Sequence, residues 1–161
     1  WGSTNINKIV NKYFGKKFIL LFPFCSPDLP HKKWPFFNEL IRIIKSKHSN
    51  LEVAIAPGPN EMNEADSIEA VKITNKGKYL DIMELTGLIK KASYIISNDT
   101  GPAHIAAHVN KDGIVIFGPH TTPEKVSIET DKFKAISADN LKDLKAEHVY
   151  LEIKDKLELI N

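Results

Sequence analysis

The stretch that decides the fold is Ser93-Tyr94-Ile95-Ile96-Ser97-Asn98-Asp99-Thr100-Gly101-Pro102-Ala103-His104-Ile105-Ala106-Ala107-His108-Val109. A short apolar run, Ser93 to Ser97, has strand length. A polar loop, Asn98 to Gly101, follows it, and a short helix is predicted from Pro102 to Val109. Asp99 or Thr100 is suited to cap that helix. Gly101 leaves room for close backbone approach, and Pro102 fits the first helical turn. Ile114 to Phe117 then reads as the next strand. The exposed N–H groups and positive dipole end at such a helix start favour a phosphate. His104, about one turn in, can face the same ligand. A plain helix cap with a packed histidine is the competing reading.

The same alternation continues in both directions. Ile6, Ile9, Val10, Tyr13 and Phe14 recur at helical spacing from Asn5 to Phe14, with Gly15 as a stop signal. Phe18 to Phe22 is a continuous apolar run, the pattern of a parallel strand covered on both faces. A Pro-rich loop, Pro23 to Lys33, leads to a helix opened by Pro35, with Phe37, Leu40, Ile41 and Ile44 on one face. Glu52 to Ala56 is a strand, and Val71 to Thr74 a weaker one. Asp81 to Lys91 is a helix whose apolar face is Ile82, Leu85 and Ile89. Phe133 to Ser137 is a last, edge strand, followed by helices near Leu141–Lys145 and Glu147–Leu159.

Strands alternating with helices predict an α/β fold: a Rossmann-like open parallel sheet with helices on both faces. Ligands in such sheets bind outside the carboxyl ends of the strands. The unusual residues fall in loops of that class, Ser26 to Lys33, Gly58 to Glu61, Asn98 to His104 and Gly118 to Pro123, so four loops converge on one edge.

Composition narrows the function classes. The 161 residues suffice for one α/β domain, here read as residues 1–161, and are too few for two ordinary ones. No apolar run approaches the ~18 residues of a membrane-spanning helix. The lone Cys25 cannot close an internal disulfide, which favours a reducing compartment. The chain starts at Trp1 with methionines only at 62 and 83, which reads as a piece of something longer. Net charge is +2, yet residues 1–50 hold nine Lys/Arg against Asp28 and Glu39. Arg42 is the one arginine, an argument against sequence-specific nucleic-acid reading.

Three loops carry candidate chemistry. In Cys25-Ser26-Pro27-Asp28-Leu29-Pro30-His31-Lys32-Lys33-Trp34-Pro35, Ser26 offers a hydroxyl and Lys32 or Lys33 an ammonium to an anion, while Trp34 packs at the helix entrance. Glu61 follows a Gly-Pro turn after a strand, where a carboxylate can accept from both ribose hydroxyls. A first-turn helix charge is the other reading of Glu61, and a solvated surface that of the lysines. His104 and His108 are spaced for zinc, with no obvious third ligand. Cys25 is a nucleophile only with a base nearby and is better read as a small buried hydrophobe.

The ordered set SPDLPHKKWP, GPNE, SNDTGPAHIAA and FGPHTTP resembles the carboxyl-terminal half of the lipopolysaccharide heptosyltransferases of glycosyltransferase family 9. The resemblance carries specific motifs from about Phe18 to Pro123. It implies the second of the two Rossmann-like domains of a glycosyltransferase B fold, the one that binds the donor ADP-L-glycero-D-manno-heptose. By the same resemblance Ser26 hydrogen-bonds the donor phosphates and Lys32 neutralises the diphosphate. Glu61 holds the adenosine ribose. Asp99, Thr100 and Gly101 lie against the diphosphate and sugar, and His104 lies near the phosphates. Leu80, or a neighbour such as Ile82, falls where backbone groups meet the adenine. Phe24 and Cys25 stand where a small Gly-Ser pair is more usual, and His31 and His120 are less typical.

The resemblance further implies inverting heptose transfer to the lipopolysaccharide inner core at the cytoplasmic face of the inner membrane, with peripheral association. No metal or other cofactor is expected. The acceptor site and the general base, an aspartate, belong to an amino-terminal domain before Trp1, so these residues alone are expected to bind ADP without catalysing transfer. The rivals are the donor domain of another nucleotide-sugar transferase or epimerase, and a non-enzymatic flavodoxin-like module. A receiver-type module would need acidic residues after its first strand, and Leu20-Leu21-Phe22-Pro23-Phe24 has none.

Overall fold

The computed structural model describes residues 2–13, 17–26, 28–119 and 128–160. Among them the strands are β1 (Phe18–Phe22), β2 (Glu52–Ile55), β3 (Val71–Lys72), β4 (Tyr94–Asn98), β5 (Gly113–Phe117) and β6 (Phe133–Ser137). The α-helices are α1 (Gly2–Tyr13), α2 (Phe37–Lys47), α3 (Ile82–Lys91), α4 (Gly101–His108) and α5 (Ala146–Ile160). All strand pairs are parallel, in the order β3-β2-β1-β4-β5-β6. This is the doubly wound order, in which the winding reverses between β1 and β4 and opens a crevice at their carboxyl ends.

Strand periodicity splits the core in two, because successive side chains point to opposite faces. Ile19 and Leu21 of β1, Val53 and Ile55 of β2, and Tyr94 and Ile96 of β4 pack with Leu40, Ile41 and Ile44 of α2 and Val149, Ile153 and Leu157 of α5. Leu20 and Phe22, Ala54, Ile95, Val115 and Phe117 face the other way, against Ile6 of α1, Leu88 and Ile89 of α3, and Ala103 and Ala106 of α4. A fully buried Leu, Ile or Phe contributes roughly 1.5–3 kcal/mol, so the continuous apolar strands are what the two helical layers close upon. Gly113 opens β5 because there is no space for more: a Cβ there would lie 2.4 Å from the Ile95 carbonyl oxygen.

Several expected boundaries move for physical reasons. Helix α2 starts at Phe37 rather than Pro35, since Pro35 and Phe36 form a turn and Phe36 takes the N-cap position. Asp81 is not helical but caps α3, accepting from the Glu84 N–H at 2.7 Å while the Glu84 carboxylate accepts from the Asp81 N–H. The face that α3 buries is therefore Glu84, Leu88 and Ile89; Leu85 is partly buried and Ile82 is 63% exposed. Val71–Lys72 is shorter than the strand expected there, and Leu141–Asp143 is a single 3-10 turn capped by Asn140 rather than an α-helix. Phe14 and Gly15 lie outside the described residues.

Where α2 meets α5, His48 is buried and its Nε2 lies 2.9 Å from the Tyr150 hydroxyl. Its Nδ1 has no hydrogen-bond partner among the described residues. Burial lowers the His48 pKa, with Glu158 opposing and Lys47 adding to the fall. The folded state thus prefers the neutral ring. Its contribution is complete above the unfolded pKa near ~6.5 and is lost as pH falls through the lower folded value. Thermal unfolding of the native chain and His48→Gln between pH 7.5 and 5 should show a native-minus-variant stability difference that declines on acidification, by at most about 1.4 kcal/mol per pH unit. A difference independent of pH would refute this assignment.

Candidate functional site

The β1–β4 register pairs Leu21 with Ile96 and Phe22 with Ser97. The two chains therefore leave the sheet at the same height, and their loops meet in the crevice. After β1 the backbone folds back on itself through Leu29 N–H to the Ser26 carbonyl at 2.9 Å, then through a 3-10 turn over Pro30–Lys32. That turn, which no periodicity marks, presents Lys32 toward β4. Its ammonium lies 3.4 Å from Asp99 Oδ2. The same carboxylate is 3.9 Å from Nε2 of His104, through Oδ1. Asp99 is only 6% exposed, Lys32 is about a quarter exposed and His104 half exposed, so a buried carboxylate meets an ammonium and an imidazole that reach toward solvent.

Thr100 stands at the N-cap of α4, as expected, but its side chain makes no cap hydrogen bond. The Thr100 hydroxyl lies 3.5 Å from the Asn98 carbonyl and 3.4 Å from Ser97 Oγ, while the Asp99 carboxylate faces Lys32. The Thr100 hydroxyl therefore leaves the first N–H groups of α4 to other partners. A Cβ at Gly101 would meet nothing within 4 Å, so the protein's own packing leaves that approach open.

A cleft of about 420 Å³ borders this corner, lined by Cys25, Ser26, Pro30, Lys33, Gly58, Pro59, Asn60, Glu61 and Glu64. It brings Ser26 and Glu61 together although 35 positions separate them. Glu61 Oε1 accepts from the Gly58 N–H at 2.8 Å, and the Glu61 N–H returns to the Gly58 carbonyl at 3.1 Å. This closed turn aims the carboxylate, which retains acceptor capacity for further donors. Glu61 therefore belongs to a turn rather than to a helix. Ser26 Oγ accepts from the Asp28 N–H at 3.4 Å. Lys33 is held by Glu64. The Cys25 thiol donates to the Leu29 carbonyl at 3.3 Å, and burial pushes its pKa up, with Lys33 and Lys32 opposing and Glu61 adding to the rise. A thiol so placed is poorly activated.

Leu80 is buried in the core ahead of α3, with Ile73 and Leu88 in the same cluster, and does not line the cleft. Of the fourth loop, Gly118 and Pro119 are described; His120 through Pro123 lie outside the described residues. No group of three or more His, Cys, Asp or Glu side chains that could hold a metal is found among the described residues. Nor is any helix among them long and apolar enough to cross a membrane.

Two residues do more than their sequence context announces. Trp34 is 1% exposed, packs edge-on against Phe36 and Phe37, and donates its indole N–H to the Leu144 carbonyl at 2.7 Å. Asn98 is fully buried; its Oδ1 accepts from the Trp34 backbone N–H at 3.1 Å and its Nδ2 donates to the Phe24 carbonyl at 3.4 Å. By sequence Asn98 is only the first residue of a polar loop, whereas the structure makes it the last residue of β4.

Residues 3–154 match the sequence model of glycosyltransferase family 9 (heptosyltransferase). The chain belongs to this family. It is 29% identical over 112 residues to the lipopolysaccharide core heptosyltransferase OpsX of Haemophilus influenzae, an alignment covering 66% of this chain and 32% of that protein. Its fold is similar to that of E. coli ADP-heptose lps heptosyltransferase II, with a TM-score of 0.80 at 17% identity, over 98% of this chain and 51% of the other. E. coli heptosyltransferase WaaC with ADP matches with a TM-score of 0.74 at 19% identity, over 93% and 48%. The family 9 chain thus spans about a third of the curated relative and about half of each solved structure. Its six-stranded parallel sheet is the Rossmann-like α/β layer of the glycosyltransferase B fold.

Proposed function

We propose that this chain is the donor-binding half of an inverting heptosyltransferase that takes ADP-L-glycero-D-manno-heptose as donor and the lipopolysaccharide inner core as acceptor. The observation that carries the reading is the convergence of Lys32, Asp99, His104 and the start of α4 at the β1–β4 crevice, beside the cleft that holds Ser26 and Glu61. A solved relative of the same fold is described with ADP.

In this reading the ribose lies against Glu61, and the diphosphate runs past Ser26 to Lys32 and the α4 N-terminus. Displacement at the anomeric carbon makes ADP the leaving group, and negative charge grows on its diphosphate. A fixed ammonium and a helix dipole aimed there stabilise that charge in the transition state. Asp99 does not contact phosphate favourably; it holds Lys32 and His104 in place and offers acceptor oxygens to the sugar. The acceptor hydroxyl and the aspartate that activates it belong to the half of the relatives that this chain does not span. We place the whole enzyme at the cytoplasmic face of the inner membrane, as a peripheral protein. No metal takes part in donor binding.

Calorimetric titration tests this directly. ADP should bind the chain, unaffected by EDTA, and UDP should compete poorly. Glu61→Ala should weaken ADP about tenfold, the loss expected for hydrogen bonds to a charged acceptor. Failure of ADP to bind at millimolar concentration would end the donor-site reading, and equal affinity for UDP would assign a different nucleotide sugar. The chain alone should transfer no heptose.

A further inference from the structure

We propose that Asn98 is the positioning residue that sets Lys32 against the diphosphate, an inference that rests on the donor-site reading. The loop from Pro23 to Lys33 carries both anion-contacting groups, Ser26 and Lys32, and no strand pairing holds it. Among the described residues, one side chain is hydrogen-bonded at both ends of this loop. The Asn98 amide donates to the Phe24 carbonyl where the loop begins and accepts from the Trp34 N–H where it ends. Both amide ends are used, and the side chain is fully buried, so the tie is dry and geometrically specific. Asn98 is also the last residue of β4 and the immediate neighbour of Asp99. The rigid sheet therefore fixes the loop's two ends and the carboxylate that faces Lys32 from one point.

A carboxamide is the group this task requires. It donates and accepts at once, and carries no charge that would perturb the neighbouring ion pair. Aspartate fills the same volume, but when ionised it can only accept, so it loses the Phe24 bond and adds a buried charge beside the ion pair. Alanine loses both and leaves the buried Phe24 carbonyl and Trp34 N–H without their partner.

A residue that acts through Lys32 has a signature that a merely structural residue lacks. In a double-mutant cycle on ADP affinity, Asn98→Ala should weaken binding about tenfold and Lys32→Ala at least as much. The double variant should bind no worse than Lys32→Ala alone, within about twofold, because the coupled losses are not additive. Asn98→Ser, which stays polar and uncharged, should show the same coupling, and it serves where Asn98→Ala does not fold; circular dichroism establishes that each variant is folded. Additive losses in the cycle, or native ADP affinity in folded Asn98 variants, would overturn the proposal. Absence of ADP binding by the native chain would instead remove the donor-site reading, and this inference with it.

Discussion

Trp34→Ala is expected to destabilise the chain by about 3–5 kcal/mol, the usual cost of removing a large aromatic side chain from a packed core. The indole is 1% exposed and meets Phe37 edge-on at 5.0 Å and Phe36 at 6.0 Å. Its deletion leaves a cavity in the layer between the sheet and α2, and leaves the Leu144 carbonyl without the indole donor at 2.7 Å. Against a total stability of roughly 5–15 kcal/mol for a domain, that loss is a large share. Trp34→Phe should recover most of the packing and lose the hydrogen bond, so it should fall between the native chain and Trp34→Ala. Urea unfolding of the three proteins measures the series. A cost below about 1 kcal/mol for Trp34→Ala would mean that the site collapses to fill the void, contrary to the close packing expected of protein interiors.

Lys32→Ala is expected to weaken ADP binding by about ten- to one-hundredfold while leaving the fold intact. A charge-assisted hydrogen bond contributes about 1.5–3 kcal/mol, and each 1.4 kcal/mol is tenfold in affinity. Lys32 is about a quarter exposed, which places the expected loss toward the lower half of that range. Its removal also changes the balance around Asp99, since the carboxylate loses the ammonium at 3.4 Å and then faces the incoming diphosphate. Adding Asp99→Asn to Lys32→Ala should therefore restore part of the lost affinity. Calorimetry with ADP separates the outcomes: unchanged affinity in Lys32→Ala would remove Lys32 from the site, and no gain from Asp99→Asn would remove the repulsion argument. Lys33, the next residue but held by Glu64, is expected to tolerate alanine better.

The parts of the fold legible in the sequence were those written in apolar periodicity. Phe18–Phe22 and Phe133–Ser137 form the strands expected, because a continuous or alternating apolar run has few other ways to be buried. Helix ends were less legible. The capping box of Asp81 and Glu84 moved the start of α3 and turned Ile82 outward, since a cap fixes the phase of the face that follows. The 3-10 turn at Pro30–Lys32 had no periodic signature, and it is what delivers Lys32.

The candidate site divides the same way. Residue chemistry singled out Ser26, Lys32 or Lys33, Glu61 and His104, because such groups in loops after strands are unusual and useful; the family resemblance chose Lys32 and set Asp99, otherwise a helix cap, beside the donor. Which of them meet is a matter of geometry. Lys32 and Asp99 are 67 positions apart, and their contact exists because β1 and β4 are neighbours with ends at equal height. Leu80 shows the converse: its surroundings are set by α3 and the sheet, and they bury it in the core.

The sequence by itself determined the alternation of strands and helices, the two-faced burial of the sheet and the polar groups available in its loops. These follow from local periodicity and side-chain chemistry. The tertiary structure alone decided the strand order, the reversal between β1 and β4, and the role of Asn98 as the tie between their loops. Those depend on pairings between segments far apart in the chain, and no local pattern encodes which buried amide will find which backbone partner.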